Sequence, residues 1–598
     1  MSVVLDTDFG LGEAFLASWQ AWRDEPSGKG RLFVVALCPQ PPDAATLARA
    51  HAGTAHAALA SALARAWPPL TPDLHVIELD AGQVQLLLAV SNPLGDSWRQ
   101  LSRLRLQADT ILLRGGAWPS RWLKALGRHA APGARLLADT GVTGDAAGAH
   151  LRADLLAAGF QPESGAGPGL RAVYAPRHAP RGGAGPAPRH AVVVGAGLAG
   201  AAVAHALVGA GVSVTVIDRQ PTPAAETSGN PAGLFHGTVN GDDGTYARLF
   251  RAAALHATDC YRAALAQGQG DGQGPGQGQR QGQVAGNASG LLRLHPGSEG
   301  TVTLQALLHR QHLPASYVRA VDAEAASALA GVPLSAPAWH YPGGGWLSPA
   351  DWVRHALQAP GIRFCGGLAV NAIQRAGDDW QVLDAAGQVL AAAPLLVLCN
   401  AAGAMRLLAP LGHAPWPLCH TRGQVTHIPG PTPLKLPVAG DGYALPLPNG
   451  LLCGATREPG EPDRDQAPMC TEAEHRSNLQ GLQRLTGLQG PADPALWQGR
   501  AGWRLHSDDR LPIAGALPLA RMPAGQRQDQ VRLLPREAGL FVLTALGARG
   551  LTLAPLLGRL VAAQALGHPW PLPQDLADAV DPGRWAVRAA RKSTQPVL

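Results

Sequence analysis

The sequence predicts an α/β protein built from two doubly wound units in tandem, the second carrying an additional α+β part. Three observations predict it. Short apolar runs alternate with alanine- and leucine-rich helical stretches in both halves. A strand, glycine turn, helix and second strand follow one another at 191–218. Between the halves, ProArgHisAlaProArgGlyGlyAlaGlyProAlaProArgHis (176–190) has no apolar periodicity and reads as a linker. The first unit, 1–175, places apolar runs at 3–5, 32–37, 84–89, 110–113 and 134–138, each short enough for a buried strand. The second unit spans 191–598 and is interrupted at 267–283 by a glutamine- and glycine-rich repeat. That composition cannot bury enough apolar surface to offset ordering entropy, so a disordered surface insertion is expected there.

The 598 residues are 46% apolar and only 15% charged, which excludes long solvated charge tracts. A net charge of +6 permits an anionic partner but is too small to imply nucleic acid by itself. The seven cysteines are scattered and never form a CxxC pair, so neither a disulfide framework nor a zinc knuckle is indicated. The 21 histidines include no HxxxH pair, and no metal site is expected. The N-terminus lacks a basic region leading into an apolar stretch, and the longest apolar run, near 191–212, is broken by His205. No signal peptide and no membrane span are expected, and the reading is cytoplasmic.

AlaValValValGlyAlaGlyLeuAlaGly (191–200) runs a buried strand into GxGxxG at Gly195, Gly197 and Gly200, ahead of an alanine-rich helix. Gly195 permits the tight turn, Gly197 allows close approach to a pyrophosphate, and Gly200 lets helix and strand pack closely. A second strand, 212–217, ends in Asp218, placed to accept hydrogen bonds from an adenosine ribose. The order within one βαβ unit points to a dinucleotide, without separating NAD from FAD.

Several further segments carry a resemblance. They are ThrSerGlyAsnProAlaGlyLeu (227–234), TyrProGlyGlyGlyTrpLeuSerProAla (341–350), ArgGlyGlnValThrHisIlePro (422–429), AspGlyTyrAlaLeuPro (441–446), GlyTrpArgLeuHisSerAspAspArgLeuProIleAlaGly (502–515) and AlaLeuGlyAlaArgGlyLeuThrLeuAlaPro (545–555). Together they resemble the FAD-dependent amine oxidases of the D-amino-acid-oxidase and glycine-oxidase superfamily. With the front unit included, the chain resembles the bifunctional tRNA 5-methylaminomethyl-2-thiouridine biosynthesis family. The resemblance implies a Rossmann-like methyltransferase domain, then an FAD-binding Rossmann domain with an α+β substrate domain of the D-amino-acid-oxidase type. It implies FAD as cofactor and tRNA as partner. FAD would oxidise the carboxymethylaminomethyl group of a wobble uridine to aminomethyl, and S-adenosylmethionine would then methylate the product. The same fold and residues also serve a small-molecule glycine or sarcosine oxidase, which is the alternative.

By that resemblance Ser228 and Asn230 lie in a loop over the pyrophosphate and flavin, Gly547 to Gly550 lie at the flavin's pyrimidine edge, and Arg549 is a flavin or substrate contact. A helix starting there can stabilise negative charge through its dipole. Arg504 matches the carboxylate-binding arginine of the family, whose fork suits a carboxylate, and Tyr443 is a second carboxylate contact. No general base is assigned.

The front unit departs from its family. LeuAspThrAspPheGlyLeuGlyGluAlaPhe (5–15) sits where the family has GlyPheGlyThrGly, with Asp8 for the first glycine and Leu11 for the threonine. Arg114 stands where the family has an aspartate beside the methyl-transfer site. The acid expected after the strand at 32–37 is replaced by CysProGlnProPro, and the family extends further ahead of the loop than this chain does. An added carboxylate and a bulky side chain in a ligand-touching loop predict a methyltransferase fold whose activity is lost or severely weakened, retained as a tRNA-docking or stabilising domain.

Overall fold

The computed structural model describes residues 1–25, 30–91, 97–115, 118–138, 145–163, 169–176, 187–267, 283–295, 297, 299–462 and 468–593. Residues 268–282 of the repeat and 177–186 of the segment at 176–190 fall outside them. The chain divides into two compact units, Met1–Ala187 with Leu566–Asp575, and Pro188–Ala565 with Leu576–Leu598.

The first unit is an eight-stranded sheet. Its order is Asp73–Leu79, Val84–Val90, Leu32–Cys38, Ser2–Asp6, Ala108–Leu113, Ala130–Ala138, Leu170–Tyr174, Phe160–Pro162. The five apolar runs of the sequence all lie in strands, and these five strands pair in parallel. Their alternation sends Val3, Leu5, Phe33 and Val35 to one buried face and Val4, Leu32, Val34 and Ala36 to the other. Both faces are covered, as a parallel sheet requires. The sequence does not single out the two edge strands and the strand Leu170–Tyr174 beside one of them, because AspLeuHisValIleGluLeu (73–79) mixes polar and apolar residues and the other two are short. Ser2–Asp6 lies between Leu32–Cys38 and Ala108–Leu113, so the loop after it opens at the point where strand order reverses.

The second unit has two principal sheets. The first orders Ile362–Cys365, Ser213–Ile217, His190–Val194, Leu395–Leu398, Arg536–Thr544 and Ile513–Pro518, with only the last strand antiparallel. Helix Leu198–Gly209 packs on it and is crossed by helix Gly550–Leu566. A Cβ on Gly558 would lie 2.7 Å from the Ala202 carbonyl carbon, so glycine sets that close crossing. The second sheet has nine strands and contains the long antiparallel pair Leu418–Pro429 and Gln498–Ser507, beside Gly442–Leu447 and Gly450–Gly454. This is the α+β part. No helix among the described residues is long and apolar enough to cross a membrane.

Candidate functional site

At the C-terminal edge of the six-stranded sheet, the three fingerprint glycines are held by close approach. Gly195 has φ +107°, and a Cβ there would sit 2.6 Å from the Cys399 carbonyl oxygen. A Cβ on Gly200 would sit 1.8 Å from the Gly195 carbonyl oxygen, which no side chain tolerates. Gly197 caps the helix Leu198–Gly209, 3.0 Å from Ser228 Oγ by the same construction. The Leu198 amide donates to Ser228 Oγ at 3.0 Å, so the loop at 227–230 lies directly over the helix N-terminus. Asn230 ends the turn Thr227–Gly229, half-buried.

That loop is fixed from the other sheet. The Thr227 hydroxyl donates to the Trp503 carbonyl, and Arg500 donates to the carbonyls of Ala225 and Glu226 at 2.6 and 2.8 Å. Asp218 accepts the Ala196 amide on Oδ2 at 2.6 Å and the Gln220 amide on Oδ1 at 2.8 Å. Burial raises its pKa, against the pull of these amides. A carboxylate has about four acceptor positions, so each oxygen keeps one for a ribose hydroxyl. Along the same edge, Asn400 Oδ1, Thr544 Oγ1 and Thr552 Oγ1 are buried without a hydrogen-bond partner. Orphaned buried polar atoms of this kind call for a polar ligand or water. Glycine cradle, helix N-terminus, ribose acid and orphaned acceptors fit a dinucleotide such as FAD.

Arg504 lies on Gln498–Ser507 opposite Thr421. Its guanidinium lies over Gly423, where a Cβ would come within 2.5 Å of Cζ, so a glycine makes its room. Arg504 donates to the Thr456 carbonyl at 3.4 Å. Thr456 is itself held: its hydroxyl donates to Glu474 at 2.7 Å and accepts the Gln424 amide at 2.9 Å, while Glu474 pairs with Arg422. Burial lowers the Arg504 pKa, which the nearby Tyr443 opposes and Arg457 reinforces. Tyr443 is pushed up by burial and drawn down by Arg504, so the two face each other electrostatically. Tyr443 projects from Gly442–Leu447 opposite Gly454, among Trp346, Val425 and Leu445.

Gly547, with φ +57°, precedes the helix that begins at Gly550, and a Cβ on Gly550 would meet the Leu198 side chain at 2.9 Å. Between them Arg549 donates to His236 Nε2 at 2.8 Å. An arginine only donates, so Nε2 accepts and the proton sits on Nδ1, which donates to the Gly237 carbonyl at 2.6 Å. Burial, then Arg549 and Arg293, hold the His236 pKa far below its ordinary value, and the ring is neutral. Burial lowers the Arg549 pKa too, with Tyr246 and Tyr341 opposing and Arg293 and Arg457 reinforcing. Arg293, Arg457, His236 and Tyr341 were not singled out in the sequence. Tyr341 opens the quoted 341–350 motif and His236 follows the 227–234 motif by two residues, so reading outward from those motifs would have reached both. Arg293 carries no such signal.

In the first unit, charged side chains gather around the loop after Ser2–Asp6. Asp6 is 1% exposed and accepts the Asp8 amide on Oδ1 at 3.1 Å. Arg114 reaches Asp6 Oδ2 at 3.5 Å and Glu13 Oε2 at 3.9 Å. Asp8 abuts Gly115, where a Cβ would lie 3.2 Å from its carboxylate, and Arg114 comes as close as 3.6 Å to a Cβ on Gly10. Burial raises the Asp6 pKa to about 6, although Arg114 opposes it. Asp6 at the strand end, Asp8 in the loop and Glu13 at the helix start, with Arg114 after the neighbouring strand, do not fit S-adenosylmethionine, whose carboxylate would meet like charge there.

Comparison with known proteins matches residues 190–564 to the FAD dependent oxidoreductase family. The tRNA 5-methylaminomethyl-2-thiouridine biosynthesis bifunctional protein MnmC of Methylibium petroleiphilum is 43% identical over 617 residues, covering 98% of this chain and 90% of that protein. Its counterpart in Paraburkholderia xenovorans is 38% identical, covering 99% and 91%. A crystal structure of glycine oxidase from Geobacillus kaustophilus aligns at 22% identity and a TM-score of 0.49, over 63% of this chain and 94% of its own. The chain therefore belongs to the FAD dependent oxidoreductases and, within them, to the family of bifunctional tRNA 5-methylaminomethyl-2-thiouridine biosynthesis proteins.

Proposed function

We propose that the second unit oxidises the carboxymethylaminomethyl group of a tRNA wobble uridine, in the cytoplasm, to leave an aminomethyl group. The observation that carries this is the half-buried Arg504 facing Tyr443 on the sheet whose strand also fixes the 227–230 loop. The substrate's side chain is an N-substituted glycine, with a carboxylate that a guanidinium fork can grip. Bound FAD supplies the acceptor for a hydride from the methylene between nitrogen and carboxylate. The nitrogen's electron pair closes the C=N bond and its N–H proton passes to solvent, giving an imine that water cleaves to aminomethyluridine and glyoxylate.

The chain's own residues orient and tune this substrate. Arg504 and Tyr443 hold the carboxylate, and the Thr456–Glu474–Arg422 network keeps Arg504 in place. Arg457, near both Arg504 and Arg549, adds positive charge that disfavours the ammonium form of the substrate. The amine reacts neutral, so no side chain need act as a strong base. Asp218 takes the adenosine ribose, Gly195, Gly197 and Gly200 take the pyrophosphate, and Ser228 and Asn230 cover it. Gly547, Arg549 and Gly550 border the flavin's pyrimidine edge.

The first unit, in this reading, keeps the methyltransferase fold without methyl transfer, because Asp8, Glu13 and Arg114 gather around the ligand loop. The test is to incubate the FAD-loaded protein with tRNA carrying carboxymethylaminomethyluridine and to measure glyoxylate and aminomethyluridine. Release of both is expected. Turnover of free glycine or sarcosine with tRNA left untouched would replace this reading with that of a small-molecule amine oxidase.

A further inference from the structure

A pocket of about 400 Å³ in the second unit is lined by Thr238, Tyr246, Arg293, Asp509, Arg510 and Arg549. Its charge is unbalanced. Arg293, Arg510 and Arg549 form no ion pair among the described residues, and Arg549 spends a donor only on the neutral His236. Asp509, the one acid in the lining, is already committed. Arg584 donates to both of its oxygens, at 2.9 and 3.0 Å, Arg588 lies 2.8 Å away, and Ser507 donates at 2.8 Å. Burial works to raise its pKa but is outweighed by Arg584 and Ser507, which hold it well below the usual carboxylate range. Asp509 with its two arginines is thus net positive and offers nothing to the other three.

We infer that this pocket binds a phosphodiester of the RNA chain beside the nucleotide being oxidised, with Arg293 and Arg510 as its cationic wall and Arg549 marking its flavin-facing side. The inference rests on the tRNA reading above. With Arg549 turned to the flavin and His236, Arg293 and Arg510 still carry two guanidiniums without an ion pair among the described residues, and Arg504 with Tyr443 already provides for the substrate carboxylate. Guanidinium forks match phosphate oxygens in geometry, and contacts to phosphate set register on a nucleic acid without reading its sequence. The volume falls in the range of pockets that enclose a nucleotide-sized ligand. An aromatic face is also present: Tyr246, half-buried in the lining, stacks on Phe250 at 4.2 Å and 24°. Arginine beside a stacked aromatic is the combination that RNA-binding sites use for nucleotides. Exposed Arg510 forms the outer lip and half-buried Arg293 the inner wall.

The test uses the FAD-loaded full chain and two substrates, modified tRNA and the free nucleoside 5-carboxymethylaminomethyluridine. Arg510→Ala and Arg293→Leu are expected to lower the ratio of kcat/KM for tRNA to that for the nucleoside at least tenfold. Inorganic phosphate is expected to compete with tRNA in the unsubstituted protein, and to compete less in both variants. An equal loss on both substrates would overturn the inference, since the pocket would then serve the carboxylate or the flavin. So would an unchanged ratio. Phosphate binding is read separately by titration calorimetry, with binding weakened by both substitutions as the expected result and binding indifferent to them as the contrary one. Should the protein turn over neither substrate, the functional reading falls, while the pocket is still judged by calorimetry. If Arg293→Leu loses its fold, Arg510→Ala decides alone.

Discussion

Two loops in this chain occupy equivalent places in two doubly wound sheets, each after a central strand where the strand order reverses. After His190–Val194 the loop is emptied of side chains. Gly195 and Gly200 bring backbone against backbone, and the first helix amide donates to a serine hydroxyl. After Ser2–Asp6 the loop keeps Gly10 and Gly12, both with positive φ, yet Asp6, Asp8, Glu13 and Arg114 crowd it with charge. The sheets are equally well buried on both faces. A fold's core and its ligand loop therefore answer to different requirements: both units keep buried sheets while the two loops differ in charge.

The contrast breaks most visibly at Gly200. Gly200→Val drives a side chain into the Gly195 carbonyl, and the purified protein is expected to lose its flavin absorbance entirely. Next in size is Arg504→Met, which leaves the flavin spectrum in place while kcat/KM on modified tRNA falls about a hundredfold, the loss of about 3 kcal/mol of charge-assisted hydrogen bonding. The first unit responds differently, through pH. Asp6 has its folded pKa raised by burial to about 6, so its contribution to stability is present at low pH and is lost as pH rises towards and through 6. Asp6→Asn is expected to stabilise the first unit at pH 7.5 by about 2 kcal/mol and to flatten its melting temperature between pH 5 and 7.5. A variant still losing stability over that interval would place the buried charge elsewhere. Smallest is Gly10→Ala, a strained φ of +55° costing about 1 kcal/mol in denaturant unfolding, with oxidation of tRNA unaffected.

How much of this was legible in the sequence follows the range of the forces involved. The five parallel strands of the first unit were visible because each is a compact apolar run. The glycine turn at 195–200 was visible because its constraints act within six residues. Asp73–Leu79 was not, since its buried positions include Asp73 and His75 and break the apolar run. The arginine cluster was hidden for another reason. Arg293, Arg457 and Arg549 are distant in sequence and gather only through sheet register and helix placement, and 45 arginines give composition no means of choosing among them. His236 lies within reach of the 227–234 motif, but its role as a buried neutral acceptor shows only in the structure.

The measurement that bears most directly on the difference between the two loops is nucleoside mass spectrometry of tRNA from a strain lacking this gene and complemented with it, in a background without another methyltransferase for this base. Conversion of carboxymethylaminomethyluridine to aminomethyluridine, with no methylaminomethyluridine, is the expected result. Appearance of the methylated nucleoside would contradict it, and would mean that Asp8 and Arg114 leave room for S-adenosylmethionine after all.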